Sequence, residues 1–258
     1  MRILAVDIGN SNIVIGCVND HKVEFVERIS TQRNQTDLEY AICCHMVLQL
    51  HHIQPESLGG AIISSVVPPL TALLGSAIRK LTGIEALVVG PGIKTGVNIL
   101  MDQPAEVGSD LVVAAVAAIQ DYGAPVLIID MGTATTMTVI DKNRNFIGGL
   151  ILPGVQLALQ SLETGTAQLP RIHLKAPSRV ICGNTVDCMQ SGLVYGNAAQ
   201  IDGLIDRMTE EVGYPLTVVA SGGLAPLVIE QCKHDIIIDQ ELLLKGLDIL
   251  FYKNDKRN

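Results

Sequence analysis

Short apolar runs separated by turn residues open the chain and predict three strands, near 3–8, 12–18 and 22–30. The capping box Thr36-x-x-Glu39 then predicts a helix that continues to about residue 52. A strand near 60–67, a helix over 69–81, a strand at 85–90 and a helix over 111–120 follow, and residues 122–125 break the pattern. Strands followed by alternating helices and strands indicate an α/β protein with helices packed on a sheet.

The same order of elements occurs a second time. Residues 126–138 repeat the pattern of residues 3–15: an apolar strand, an Asp, a glycine turn with small polar side chains, and a returning strand. Later strands near 145–151, 216–220 and 235–238, with helices after 154, over 185–212, after 223 and from 240, complete the second copy. We therefore predict a duplicated ribonuclease-H-like fold of the actin-like ATPase type, with two similar halves, 1–120 and 121–258, and a cleft between them.

Composition and charge narrow the classes of function. Hydrophobic residues make up 48% of the 258 residues, which indicates a folded protein with sizeable cores. The net charge of −8 offers no basic surface for nucleic acid or for an anionic membrane. The longest apolar runs are far shorter than the roughly 20 residues of a membrane span, and the first residues lack a signal-peptide pattern, so we expect a cytoplasmic protein. The six cysteines form no C-x-x-C pair and are expected to stay reduced.

The turn after the first predicted strand has the features of a phosphate-binding loop. Asp7 ends the strand, and Gly9 allows backbone N–H groups to approach phosphate oxygens. An ordinary hairpin also often carries Asn at its turn, but the second copy repeats the arrangement from Asp130 onwards. There the carboxylate can hold a cation and the hydroxyls of the following threonines can bind phosphate. A single Thr is also a common strand residue, so the repetition carries the interpretation.

Two further turns have an alternative structural explanation. Ser221-Gly222-Gly223 follows a strand and precedes a helix, where the backbone either lies against an adenosine or forms a plain strand-to-helix turn. Gly108-Ser109-Asp110 stands at the start of the helix over 111–120. Asp110 is therefore either a helix cap, worth about 1 kcal/mol, or the general base that a phosphoryl acceptor needs. The residue types alone leave both choices open.

A set of segments, present in the family's order along nearly the whole chain, resembles the type III pantothenate kinase family. The segments are 7–12 (DIGNSN), 63–69 (ISSVVPP), 104–110 (PAEVGSD), 130–136 (DMGTATT), 148–154 (GGLILPG), 166–170 (TAQLP) and 184–192 (NTVDCMQSG). The resemblance implies ATP-dependent phosphorylation of pantothenate, the first step of coenzyme A biosynthesis. It also implies Mg²⁺, a monovalent cation (K⁺ or NH₄⁺), and a homodimer whose interface helps to build the substrate site.

The resemblance further implies a role for individual residues, by matching position. Asp110 would accept the proton of the substrate, Asp130 would hold the monovalent cation, and Asp7 would orient magnesium and phosphate. The residues implied in ATP binding are Asp7, Ile8, Gly9, Asn10, Ser11, Asn12, Ile13, Val14 and Thr133. The residues implied in substrate binding are Met101, Gly108, Ser109, Leu111 and Thr185.

The chain departs from the family's pattern mainly around the substrate. Met101 stands where the family usually has Tyr, and Gln103, Leu111 and Ala114 stand where it usually has Asn, Arg and Asn. Loss of the Arg removes a charge-assisted donor worth about 1.5–3 kcal/mol, or roughly ten- to a hundred-fold in binding or rate. We hypothesise that ATP binding is retained while pantothenate binds less tightly or another, more apolar hydroxyl compound is the acceptor. A non-catalytic ATP-binding regulatory protein is the remaining alternative.

Overall fold

The computed structural model describes residues 1–255, and its contacts divide the chain into two compact units. The first unit contains Met1–Asn98, Asp102–Asp121 and the C-terminal segment from Glu241. The second contains Ile99–Met101 and Tyr122–Gln240. Packing therefore groups the end of the chain with its beginning. The halves 1–120 and 121–258, which follow the order of the chain, stay a prediction.

The secondary structure follows the predicted alternation. The strands are β1 (Arg2–Ile8), β2 (Asn12–Asn19), β3 (Lys22–Ser30), β4 (Gly60–Ser65), β5 (Leu87–Val88), β6 (Asn98–Ile99), β7 (Val126–Met131), β8 (Ala134–Ile140), β9 (Asn145–Pro153), β10 (Thr217–Ser221) and β11 (Ile237–Ile238). The helices are α1 (Asp37–Leu50), α2 (Pro68–Thr82), α3 (Ser109–Tyr122), α4 (Val155–Gly165), α5 (Thr185–Val212), α6 (Ala225–Ile229) and α7 (Leu242–Asn254).

The first unit has a five-stranded sheet in the order β3-β2-β1-β4-β5. β1 is antiparallel to β2 and parallel to β4. Leu4, Val6 and Ile8 pack in a core with α1 and α2, while Ile3 and Ala5 pack in a second core with α3 and α7. Because helices cover both faces of this sheet, the central strand is apolar on both faces. This explains the unbroken apolar run that predicts it.

The second unit repeats this order as β9-β8-β7-β10-β11, with the short strand β6 added beyond β9. Apolar side chains of α4, α5 and α6 form its core with residues of the sheet such as Leu127, Ile129 and Met137. Gly149 on β9 lies directly against β8, and a Cβ at this position would overlap the Met137 carbonyl oxygen. Only glycine therefore permits the close approach of these two strands.

Corresponding residues occupy the same register positions in the two units. Asp7 is paired with Ser64 across the parallel strands β1 and β4. Asp130 is paired with Ser221 across the parallel strands β7 and β10. The shared strand order and the shared register confirm the α/β class and the duplicated fold that the sequence pattern predicts.

Local signals set the ends of the main helices. The Thr36 hydroxyl accepts the Glu39 N–H while the Glu39 carboxylate accepts the Thr36 N–H, so the predicted capping box at α1 is confirmed. Asn184 caps α5 at its predicted start, and Gly213 ends this helix with φ +77°. The strand predicted at 85–90 is reduced to β5, and β6 is a strand that the pattern does not predict.

The six cysteines are free thiols. Within residues 1–255, none of the helices combines the length and the apolar character that a bilayer crossing needs.

Candidate active site

The turn between β1 and β2 is closed by its own backbone. The Gly9 N–H donates to the Asn12 carbonyl oxygen at 3.0 Å, and a Cβ on Gly9 would lie 2.9 Å from the same oxygen. The side chains of Asn10, Ser11 and Asn12 are exposed at the tip. An exposed turn of amide, hydroxyl and backbone N–H groups at the end of a buried strand is suited to bind phosphate oxygens.

The segment after β3 holds this turn in place. Thr31 donates its backbone N–H to the Ser11 carbonyl oxygen at 3.0 Å and its hydroxyl to the Gly9 carbonyl oxygen at 2.7 Å. Both bonds engage carbonyl oxygens, which would otherwise repel a phosphate. Ile8 and Ile13, on either side of the turn, are fully buried in the core, so only their backbone is available to a nucleotide.

Hydrogen bonds connect the end of β4, next to Asp7, with the start of α3. Asp7 is 7% exposed and lies beside Ser64 in the register of β1 and β4. Ser109 Oγ lies 3.0 Å from Ser64 Oγ, accepts the Ser65 N–H at 3.1 Å and donates to the Ser65 carbonyl oxygen at 3.0 Å. The structure therefore brings Asp7 and the residues around Asp110 to the same edge of the first sheet.

Asp110 is half-buried in the first turn of α3. Its carboxylate accepts the Leu111 N–H at 2.8 Å. Burial raises the pKa of Asp110, although the backbone hydrogen bonds of Leu111 and of Asp110 itself act in the opposite direction. A Cβ on the neighbouring Gly108 would overlap the Asp110 carboxylate, so a side chain there would displace this carboxylate. A carboxylate of raised pKa is a better proton acceptor than an ordinary one, so the geometry fits a general base as well as an interaction with the helix end.

The turn between β7 and β8 in the second unit has the same construction. The Gly132 N–H donates to the Ala134 carbonyl oxygen at 3.1 Å, and the Gly154 N–H, just after β9, donates to the Thr133 carbonyl oxygen at 3.1 Å. Thr133 is exposed at the tip. A Cβ on Gly132 would lie 3.6 Å from Asp130 Oδ2, so this carboxylate stands directly at the turn.

Oxygen atoms suited to a cation lie beside Asp130. Thr136 is opposite Asp130 on β8, and Ser221 is paired with it on β10. The buried Thr136 Oγ1 has no hydrogen-bond partner within the described chain. Directly paired residues place their side chains on one face of a sheet, and a cation held there would satisfy this hydroxyl. No group of three His, Cys, Asp or Glu side chains within residues 1–255 is placed to bind a metal, so such a cation would rely on hydroxyl and carbonyl oxygens beside one carboxylate.

The turn Ser221-Gly222-Gly223 has a structural requirement at one of its glycines. Gly222 has φ +105°, and a Cβ on it would lie 2.5 Å from the Met131 carbonyl oxygen. Its own carbonyl oxygen accepts a hydrogen bond from Gln240 Nε2 at 3.0 Å. A Cβ on Gly223 would meet nothing within 4 Å. Packing thus explains Gly222, whereas Gly223 presents open backbone that is free to contact a nucleoside.

The residues implied in substrate binding are distributed over both units. Gly108, Ser109 and Leu111 belong to the first unit, and Met101 and Thr185 belong to the second. Thr185 is the exposed first residue of α5, and Met101 is 37% exposed after β6.

Two hydroxyl residues, Ser64 and Ser65, were given no role of their own from the sequence, and Thr136 was considered there only as one of the threonines that could bind phosphate. Ser64 and Ser65 end β4 and hold Ser109, while Thr136 carries the unpartnered hydroxyl beside Asp130. The signal for the two serines is a pair of hydroxyls at the end of an apolar strand that neighbours the strand of Asp7. The signal for Thr136 is its place opposite Asp130 in a hairpin.

Comparison with known proteins agrees with these features. The family model described as type III pantothenate kinase matches residues 3–207. A type III pantothenate kinase of Brevibacillus brevis is 42% identical over 252 residues, which cover 98% of this chain and 99% of that protein.

Two solved structures show the same fold at low sequence identity. A conserved protein of Campylobacter jejuni, assigned to the Baf family of transcriptional activators, has 18% identity and a TM-score of 0.57, with 97% of this chain and 98% of that chain covered. The activator of 2-hydroxyisocaproyl-CoA dehydratase from Clostridium difficile, with bound ADPNP, has 11% identity and a TM-score of 0.53, with 100% and 96% covered. Both likenesses concern the fold alone. The family match over most of the chain and the close relative over nearly all of it show that the chain belongs to the type III pantothenate kinase family.

Proposed function

We propose that the protein transfers the terminal phosphoryl group of ATP to the primary hydroxyl of pantothenate and forms 4′-phosphopantothenate and ADP. The position of Asp110 carries this proposal: a half-buried carboxyl of raised pKa at the same sheet edge as Asp7 and the β1–β2 turn. Membership of the family supports ATP as donor and pantothenate as acceptor. The reaction would be the first step of coenzyme A biosynthesis.

Asp110 acts as the general base in this proposal. Its carboxylate takes the proton from the substrate hydroxyl while that oxygen forms its bond to the γ-phosphorus and the bond to the ADP oxygen breaks. The exposed donors of the β1–β2 turn bind and orient the phosphates. Phosphoryl transfer depends mainly on such positioning and on stabilisation of developing charge. The proposal keeps Thr133 as a nucleotide-binding residue, because Thr133 lies in the β7–β8 turn, which is equivalent to the β1–β2 turn.

Two ions belong to the proposal. Asp7 would hold and orient Mg²⁺, which supplies positive charge to the phosphates when bound. Asp130 would hold the monovalent cation, K⁺ or NH₄⁺, with the Thr136 hydroxyl beside it. The unpartnered Thr136 Oγ1 supports this second site. Replacement of Thr136 by Val would keep the shape and remove the hydroxyl, and should raise the concentration of K⁺ needed for half-maximal activity.

We also propose a homodimer that works in the cytoplasm. Three glycines of α5, Gly192, Gly196 and Gly203, have open space where a Cβ would stand, so this helix can accept a close neighbour. Val180 and Ile181, just before α5, are 63% and 87% exposed, and they provide apolar surface next to this helix that a second copy would cover. The six free thiols are consistent with a reducing compartment.

A second candidate acceptor follows from the residue next to Asp110. Leu111 replaces the Arg of the family's pattern, so the side chain that follows the proposed general base is apolar in this chain. Another small hydroxyl compound with a more apolar body would suit this side chain. The ratio of kcat/KM between pantothenate and more apolar hydroxyl compounds, measured on one enzyme preparation, decides between the two acceptors.

The test of the proposed function is phosphate transfer from ATP to pantothenate by the purified protein with Mg²⁺ and K⁺. Asp110→Asn keeps the shape and hydrogen-bonding capacity of the side chain but removes the base, and it should lower kcat by about 10²–10⁴-fold. Nucleotide binding by this variant should stay unchanged. Turnover in the native protein that is insensitive to this substitution would contradict the role of Asp110, and ATP binding without turnover on any acceptor would favour the regulatory alternative.

A further inference from the structure

Arg33 stands beside the β1–β2 turn, in the segment that holds this turn. One guanidinium nitrogen of Arg33 donates to Asn10 Oδ1 at 3.4 Å. Both residues line a pocket of about 300 Å³ whose other walls are residues 66–70, at the junction of β4 and α2. The pocket therefore has one charged side chain, and this charge lies at the exposed tip of the turn that is assigned to the phosphates of ATP.

The backbone on the N-terminal side of Arg33 is fixed from two directions. Thr31 is bonded to the turn through its N–H and its hydroxyl. The Gln32 carbonyl oxygen accepts the hydroxyl of Tyr40 at 2.7 Å, and Tyr40 is a fully buried residue of α1. Arg33 thus projects from an anchored backbone, so its guanidinium can reach the turn at a small entropic cost compared with an arginine on a mobile loop.

The charge of Arg33 has no acidic partner. Arg2 is paired with Glu24 and Arg79 with Glu85, whereas no carboxylate within residues 1–255 lies within 4 Å of the Arg33 guanidinium. Its single bond to an amide oxygen leaves most of its five donors available. An arginine that is placed by an anchored backbone, next to a phosphate-binding turn and without a counter-charge, has the properties of an anion-binding residue.

One wall residue of the pocket also lies near the segment that contains Asp110. Val66 lines the pocket, and a Cβ on Gly108 would lie 3.6 Å from Val66 Cγ1. The guanidinium of Arg33 therefore shares its pocket with a side chain that borders the segment of the general base. At this position we expect the guanidinium to contact the phosphate oxygens at the reacting end of ATP and not the adenosine.

We propose that Arg33 binds the phosphates of ATP and neutralises part of their charge during transfer, with Asn10 orienting its guanidinium. The proposal rests on the proposed function for the identity of the nucleotide and of the reaction. It assigns Arg33 to phosphate recognition and not to binding of the acceptor. Replacement of Arg33 should therefore change the kinetic constants for ATP more than those for pantothenate.

The experiment compares Arg33→Gln and Arg33→Lys with the native protein and with Arg207→Gln. Arg207 is an exposed residue of α5 in the second unit, and its replacement removes the same charge from the chain. We expect Arg33→Gln to lower kcat/KM for ATP by about ten- to a hundred-fold, as for loss of a charge-assisted hydrogen bond. Its KM for pantothenate should change by less than about threefold, and Arg33→Lys should recover part of the loss.

Direct binding separates the phosphate role from a structural one. Calorimetric titrations with ATP, ADP and adenosine, each with Mg²⁺, should show that Arg33→Gln weakens the binding of the two nucleotides and leaves the binding of adenosine unchanged. Equal binding of ATP by the native protein and by Arg33→Gln would overturn the proposal, and so would an equal loss for adenosine. These titrations do not depend on pantothenate: a native protein that fails to phosphorylate pantothenate refutes the proposed function, while the nucleotide titrations still decide the role of Arg33.

Discussion

Replacement of Ser109 by Ala tests whether this residue is structural or contacts the substrate. Family membership implies Ser109 in substrate binding, but in the structure its hydroxyl is used within the protein. Ser109 Oγ bridges Ser64 Oγ, the Ser65 N–H and the Ser65 carbonyl oxygen. We therefore expect Ser109→Ala to lower stability and to leave the affinity for pantothenate nearly unchanged.

The magnitude follows from the groups that lose a partner. Ser64 is 0% exposed, and its hydroxyl and the Ser65 N–H would both lose Ser109 Oγ. A buried polar group without a partner costs about 1–3 kcal/mol. Because Ser65 is only partly buried, one such penalty is a better estimate than two. For a chain of this length each kcal/mol lowers the melting temperature by about 2 °C, so we expect a decrease of about 2–6 °C.

The assay combines a thermal melt with steady-state kinetics on the same preparations. Ser57→Ala is a matched control, because Ser57 is exposed and both hydrogen bonds of its hydroxyl are exposed: it donates to the Gln54 carbonyl oxygen at 2.7 Å and accepts from Arg2 at 3.4 Å. This control should shift the melting temperature by less than about 1 °C. Ser109→Ala with native stability and a tenfold higher KM for pantothenate would refute the structural role and would assign Ser109 to the substrate.

Other predictions concern the base, the acceptor pocket and a glycine turn. Burial raises the pKa of Asp110, and this residue must be ionised to act as the base. kcat should therefore decrease at low pH, and the midpoint of this decrease should lie above the ordinary Asp pKa of about 3.9. A pH profile of kcat measures this midpoint, and the decrease should be absent from the residual activity of Asp110→Asn. Leu111→Arg restores a charged donor and should lower KM for pantothenate by about ten- to a hundred-fold, whereas an unchanged KM would show that pantothenate binding does not use a donor at this position. Gly222→Ala should lower the free energy of unfolding, measured by urea denaturation, by about 1–3 kcal/mol or more, because φ is +105° and the Cβ would lie 2.5 Å from the Met131 carbonyl oxygen. The control is Gly223→Ala, whose Cβ meets nothing within 4 Å, and it should have nearly the stability of the native protein.

The order of strands and helices could be predicted because its signals are local. The capping box at Thr36 and Glu39 depends on residues three apart, and the start of α5 at Thr185 depends on the preceding Asn184. The repetition of the Asp-x-Gly turn at Asp130 predicts the duplication without any knowledge of packing. Short apolar runs between turns then give the strands directly.

The contacts between distant segments could not be predicted in the same way. Ser109 and Ser64 are 45 positions apart, and nothing in either segment indicates that one hydroxyl bridges to the other. The C-terminal helix α7 is predicted as a helix from residue 240, but its sequence does not say which sheet it covers. In the structure Gly246 of α7 packs directly against the Val113 carbonyl oxygen of α3, in the first unit. The two-residue strand β6 is too short for a periodic signal.

The two copies of the fold differ at the position that follows the paired serine. In the first unit Ser64 is followed by Ser65, whose backbone N–H and carbonyl oxygen both bond Ser109 and so attach the start of α3 to the sheet. In the second unit Ser221 is followed by Gly222, which has φ +105° and lies against the backbone of Met131.

The helix that follows Gly222, α6, contains no acidic residue, so this segment of the second unit has no counterpart of Asp110. In the first unit this edge of the sheet therefore carries Asp7 together with Asp110, the proposed general base. In the other unit it carries a carboxylate with an unpartnered hydroxyl, at Thr136. This difference supports the proposal that Asp110 accepts the proton and that Asp130 binds the cation, and not the reverse.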